Sequence, residues 1–217
     1  MEMRIKYILL VVFSLWLHMG SAQVGVREDG VDSEVDSIGK YPRHLFVKTN
    51  VVNWVLLVSN VEVEADVARN WSVSLPVAYS AWNYFTSGIK FRTLSFYPAV
   101  RYWISEDNEE WYVGAHLGVA WYNFALGGEF RTQDRGGHTP ALGGGISVGY
   151  RMPLKSCRKW KLEFSLGVGV YRLHHDKFLN VDNGQWVCTR RKVYFGPDCL
   201  SVSFVYTIDL KKNIRLK

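Results

Sequence analysis

The sequence predicts an all-β protein, an eight-stranded antiparallel up-and-down transmembrane β-barrel, on three observations. Apolar residues alternate with small or polar ones from His44 almost to the end, and a period of two marks strands with one apolar face. The alternating runs reach about ten residues, where an average strand has about five or six. Compact and longer connections also alternate, as in outer-membrane barrels with short periplasmic turns and longer external loops. Closing such strands into a cylinder removes sheet edges.

The elements follow in chain order. Arg4 and Lys6 precede an apolar run from Tyr7 to Leu17, and Gly20-Ser21-Ala22 follows it. That pattern reads as a secretory signal peptide over residues 1–22, cleaved after Ala22. Its apolar core is too short to span a bilayer comfortably, and no cysteine follows to carry a lipid anchor. Residues 23–43 carry Glu28, Asp29, Asp32, Glu34 and Asp36 and read as a flexible acidic periplasmic leader. Residues 44–210 form the predicted barrel, and 211–217 a basic tail. Secretion and a barrel together place the chain in the outer membrane of a Gram-negative bacterium.

Within the barrel, strands are expected near 44–52, 59–68 and 91–104. The clearest alternation runs from Trp71 to Tyr79, Trp111 to Trp121, Leu142 to Tyr150, Trp160 to Val170 and Leu200 to Ile208. The turns near Ala68–Asn70, Ser105–Glu110 and Pro153–Lys159 are compact. The connections Ala81–Lys90, Asn123–Thr139 and His174–Lys192 are longer.

The two faces differ in chemistry. One mixes glycine and serine with Glu62, Glu64, Asp66, Arg101, Arg151, Lys161 and Glu163, which suits a narrow interior. Unpaired charges are costly there, so Glu62, Arg101, Arg151 and Glu163 are expected to pair and plug the lumen. The apolar face then turns outward, with an aromatic girdle of Trp71, Trp103, Trp111 and Trp160 beside the compact turns. Trp121 shares a face with Trp111 roughly 25 Å away along the membrane normal. "GGGISVGYR" (143–151) resembles a phosphate-binding loop, but such a loop needs a strand-to-helix turn. Here the run continues into another strand, so Gly143, Gly145 and Gly149 line the wall with Ser147.

The net charge is +6, with bases scattered apart from Arg190-Arg191-Lys192 and Lys211-Lys212. Nucleic acid is not expected as a partner, because anionic surfaces and solubility explain such clusters equally well. Cys157, Cys188 and Cys199 match no zinc or CxxC spacing. Cys188 and Cys199 could form a disulfide in an oxidising compartment, or all three could stay free. "HHD" (174–176) is the most metal-like cluster, but adjacent strand residues point apart and no third ligand is evident. No metal and no cofactor is expected. His116 faces inward with Ser147 and Ser165, which would suit a nucleophile and base; a packed histidine is the simpler reading. No catalytic residue is assigned and no enzyme is expected.

The segments "FVKTNVV" (46–52), "NVEVE" (60–64), "YPAVRYW" (97–103), "GGGISVGYR" (143–151), "WKLEFSLGVGVYR" (160–172) and "YFGPDCLSVSFVY" (194–206) together resemble a Bacteroidota family of outer-membrane β-barrels. The family is catalogued as a domain of unknown function and is often encoded near fimbrial genes. The resemblance implies fold and location, and brings no catalytic residues. The basic tail "KKNIRLK" departs from barrels that end on an aromatic assembly signal. The function expected is a small structural or interaction protein linked to fimbriae or cell-surface assembly. Its expected partners are outer-membrane lipid, the barrel-assembly machinery and a fimbrial or surface protein. A lipid-modifying enzyme and a binder of a small apolar ligand stand as alternatives.

Overall fold

The computed structural model describes residues 44–83, 88–105, 109–154 and 157–210, apart from the Arg158 side chain. The signal peptide, leader and basic tail expected at 1–22, 23–43 and 211–217 lie outside the described residues. Ten strands form one sheet. They are β1 (His44–Asn50), β2 (Ser59–Ala68), β3 (Trp71–Ser80), β4 (Ile89–Phe96), β5 (Ala99–Trp103), β6 (Glu110–Leu126), β7 (Phe130–Asp134), β8 (Ala141–Leu154), β9 (Cys157–Leu179) and β10 (Trp186–Asp209). A five-residue helix, α1 (Val51–Val55), follows β1, and the Asn50 side chain caps it by accepting from the Val52 amide at 3.0 Å.

The run expected as one strand near 91–104 is two. Pro98 cannot donate to a ladder, so β4 ends at Phe96 and β5 resumes at Ala99. Both lie between β3 and β6. The connection Asn123–Thr139 contains β7, which pairs with the ends of β6 and β9. Most of His174–Lys192 is ladder too, because β9 and β10 are 23 and 24 residues long.

All pairings are antiparallel and return to their start: β1 pairs β2 and β10, β10 pairs β9, β9 pairs β8, and β8 pairs β6. This is not the expected eight-stranded transmembrane barrel. There are ten strands, and β4, β5 and β7 break the simple up-and-down order. Closure also differs. β1 meets β10 only between His44–Asn50 and Ser203–Asp209. Among the described residues, the outer edge of β10 from Trp186 to Val202 has no strand beside it. A ring joined at one end leaves an edge, and removing edges was the reason for inferring a barrel. Period two identifies strand faces but neither counts strands nor tests closure. The outer-membrane barrel identity and the plugged lumen lose their support with it. So do the fimbria-linked, lipid-modifying and apolar-ligand functions built on that barrel, and the contacts to outer-membrane lipid and assembly machinery.

The faces are inverted in polarity. Lys48, Glu64, Arg151 and Glu163 are buried, while Val63, Trp71, Trp111, Ile146, Leu166 and Phe204 are exposed. An unpaired buried charge costs several kcal/mol, so this interior holds together only as a network.

Candidate functional site

Six charged side chains from five strands meet inside the sheet. The register sets Lys48 opposite Glu62, and Arg151 opposite Glu163. Glu163 accepts from Lys48 Nζ at 2.9 Å, Arg101 Nη1 at 3.0 Å and Arg151 Nε at 2.8 Å. Glu64 accepts from Arg101 Nη1 at 2.6 Å and Arg151 Nη2 at 2.9 Å, and pairs with Lys48. Glu62 Oε1 lies 2.7 Å from Arg101 Nη2 and 3.2 Å from Lys48 Nζ. Phe46 and Trp103 present their ring faces to the Arg151 guanidinium at 4.4 and 4.2 Å. Burial alone would raise both glutamates. The charges of Arg151, Lys48 and Arg101 outweigh it, holding Glu64 well below the usual carboxylate range and Glu163 at about 2.

Oxygens of Glu62, Glu64 and Glu163 lie within 4.8 Å of one another, close enough to share a cation. Three basic side chains already occupy that space and balance the three carboxylates. A metal ion fits this donor set poorly. The predicted Glu62, Arg101, Arg151 and Glu163 are brought together, and Lys48 and Glu64 complete the cluster.

A second cluster adjoins it. His116 Nε2 lies 2.6 Å from Asp198 Oδ2, and the Tyr171 hydroxyl donates to the same oxygen at 2.9 Å. The β10 ladder slips between Pro197 and Cys199, and this irregularity re-aims Asp198 inward. The glycines of β8 and β9 supply the room. A Cβ at Gly145 or Gly169 would collide with the Asp198 carboxylate, and one at Gly149 with the Tyr112 ring. Ser165 Oγ lies 2.5 Å from Ser201 Oγ. Burial, the hydrogen bond to Asp198 and its charge push the Tyr171 hydroxyl up, and burial and Asp198 do the same to Tyr97. Both remain protonated donors at neutral pH.

A cavity of about 340 Å³ separates the two clusters, with Tyr97, Arg101, His116, Ser165, Asp198 and Cys199 in its wall. Three polar atoms on its lining residues have no hydrogen-bond partner among the described residues: Asp198 Oδ1, on a side chain 5% exposed, Arg101 Nε, on one 8% exposed, and Glu62 Oε1, which is instead held in ion pairs with Arg101 and Lys48. Ser147 also lines this space, but no hydrogen bond joins it or Ser165 to His116 among the described residues.

The outer aromatics pair across strands. Trp71 packs on Tyr102, Trp111 on Tyr150 and Trp160 on Tyr206, with ring centroids 5.1, 5.1 and 5.0 Å apart. Trp121 is half-buried against Phe96. Trp103 does not belong with them. It is 0% exposed, stacks on Tyr112 at 4.7 Å and donates from Nε1 to Ser72 Oγ at 2.8 Å. It lies two residues from the inward Arg101 and so shares its face. The disulfide alternative fails as well, since all three cysteines are free. Cys188 and Cys199 lie on one strand, roughly 35 Å apart at about 3.3 Å per residue, and a bridge needs Cα atoms within about 7 Å.

No match to the chain is found among curated proteins or among solved structures. One family does match, described as "Protein of unknown function (DUF3575)", over residues 31–208. That description carries no outer-membrane barrel identity, so the expected resemblance is corrected to the family alone. Because the match spans well over half of the sequence, the chain belongs to the DUF3575 family.

Proposed function

We propose that the protein is exported to the cell envelope of a Gram-negative bacterium and binds a small polar ligand, without transforming it, in the cavity between its two polar clusters. The carrying observation is Asp198 Oδ1, an acceptor sealed from solvent and left without a partner in the wall of a cavity. A buried unpaired acceptor costs about 1–3 kcal/mol, which a ligand donor would recover. Arg101 Nε offers a donor to the same space. Three carboxylates already surround that guanidinium, so a neutral hydroxyl or amide suits it better than a further anion. The volume lies at the small end of the ligand range of roughly 300–1,000 Å³.

Binding is favoured over catalysis because, among the described residues, no hydrogen bond joins His116 to Ser147 or Ser165, and Ser165 is bonded to Ser201. The basic start and short apolar run of the amino terminus support export. Native mass spectrometry of the purified protein tests both parts. The expected result is a mature chain beginning at Gln23 with one small-molecule adduct, lost in Asp198→Ala. An adduct that persists in that variant, or a cavity holding only water, would refute the binding assignment.

A further inference from the structure

The far ends of β9 and β10 carry a charge pattern that the inner cavity does not use. The paired stretches 172–179 and 186–193 contain Arg172, Lys177, Arg190, Arg191 and Lys192 against one carboxylate, Asp176. Asp176 is occupied, accepting from Thr189 Oγ1 at 2.5 Å and from the Gly136 amide at 3.0 Å. Among the described residues these five cations form no ion pair; the pairs gather around Lys48, Arg101, Arg151 and Lys161. The "HHD" segment lies within this field. Arg135 Nη1 and Arg191 Nε each approach His174 Nε2 at 3.5 Å, so its surroundings repel a metal ion. Burial and then the Lys177 and Arg190 charges lower His175, and burial and then Arg92 lower Arg131. Burial is the larger cause of both, with neighbouring positive charge second, and Asp176 partly offsets it at His175.

A cavity of about 540 Å³ opens at this end. The register builds it: Phe91 faces Phe124, Thr93 faces Tyr122, and Lys192 faces Leu173. Phe91, Phe124 and Leu173 supply apolar walls, while Arg92, His175 and Lys192 bring basic groups to the same space. Tyr122 Oη and His175 Nδ1 are buried atoms without hydrogen-bond partners among the described residues. Arg92 is exposed and is held by Asn83, to whose Oδ1 its Nε donates at 3.2 Å.

We infer that this end is a second binding site, for an organic phosphate whose charged group meets Arg92 and Lys192 and whose apolar body rests on Phe91, Phe124 and Leu173. An inorganic anion would leave those rings unused, and a neutral apolar molecule would leave the cations unpaired. Both charges are needed because each contributes only modestly at an exposed site.

Equilibrium dialysis of the full chain with 4-methylumbelliferyl phosphate tests the site, with neutral 4-methylumbelliferone and inorganic phosphate as comparison probes. The aryl phosphate should be retained at least tenfold more tightly than either. Arg92→Gln combined with Lys192→Gln should abolish that difference, whereas Asp198→Ala should leave it intact, separating this site from the inner cavity. Both rim side chains are exposed and bear no ion pair among the described residues, and tryptophan fluorescence checks that the double variant folds. Equal retention of the neutral probe, equal retention of inorganic phosphate, or unchanged binding by the folded double variant would overturn the inference.

Discussion

Replacing Glu163 by glutamine is the sharpest probe of the buried charge cluster. The side chain is 1% exposed and accepts from Lys48, Arg101 and Arg151. Glutamine keeps the shape but leaves three cations to two carboxylates. Two routes give the cost. A carboxyl moved from its ordinary 4.5 to about 2 on folding carries about 3 kcal/mol at about 1.4 kcal/mol per pH unit. Breaking a buried ion pair from one side costs about 3–5 kcal/mol. The two agree, and no discount for solvent applies at this depth. Because the folded value lies below the unfolded one, the stabilisation is complete above about pH 4.5 and fades as pH falls toward 2. Guanidinium unfolding followed by tryptophan emission should show Glu163→Gln about 3 kcal/mol less stable than the parent at pH 7. More than half of that gap should be gone by pH 3, where this carboxyl is protonated in the unfolded parent while still ionised in the folded one. A deficit under about 1 kcal/mol at neutral pH, or a gap that does not change with pH, would refute the reasoning.

Gly169→Ala should place a methyl group on the Asp198 carboxylate, lowering stability by about 1–3 kcal/mol and removing any adduct from the inner cavity. An unfolding midpoint equal to the parent's would show that the glycine is not needed there. Alkylation at neutral pH should modify exposed Cys157 before Cys199, whose thiol burial pushes up. The unfolded, unreduced chain should titrate three thiols; two missing thiols would restore the bridge between Cys188 and Cys199.

Much of this was legible in the alternation. Inward charge at Glu62, Arg101, Arg151 and Glu163 follows from strand parity, and the same parity applied evenly reaches Glu64, two residues from Glu62. It also assigns Trp103 to the side of Arg101, against the girdle suggested by its position beside a turn. Lys48 was harder to see, because a single lysine in "FVKTNVV" looks like a solvated residue until β1 is known to close the ring. Asp198 was hidden by the slip after Pro197, where counting by twos no longer predicts which way a side chain points. Strand number and closure were not legible, since they depend on pairings between distant segments and a seven-residue β1.

The uncovered flank of β10 has a bearing on how copies of the chain meet. The Asn50 side chain takes up the Leu200 carbonyl and the Val202 amide, but along Trp186–Cys199 no strand covers this flank among the described residues, and its backbone could template a strand from a neighbour. In the antiparallel register centred on Arg191, however, that flank would oppose Arg190-Arg191-Lys192 to an identical triplet, and Pro197 withholds one donor. Repulsion of this kind disfavours that self-pairing while leaving the edge open to a less basic strand.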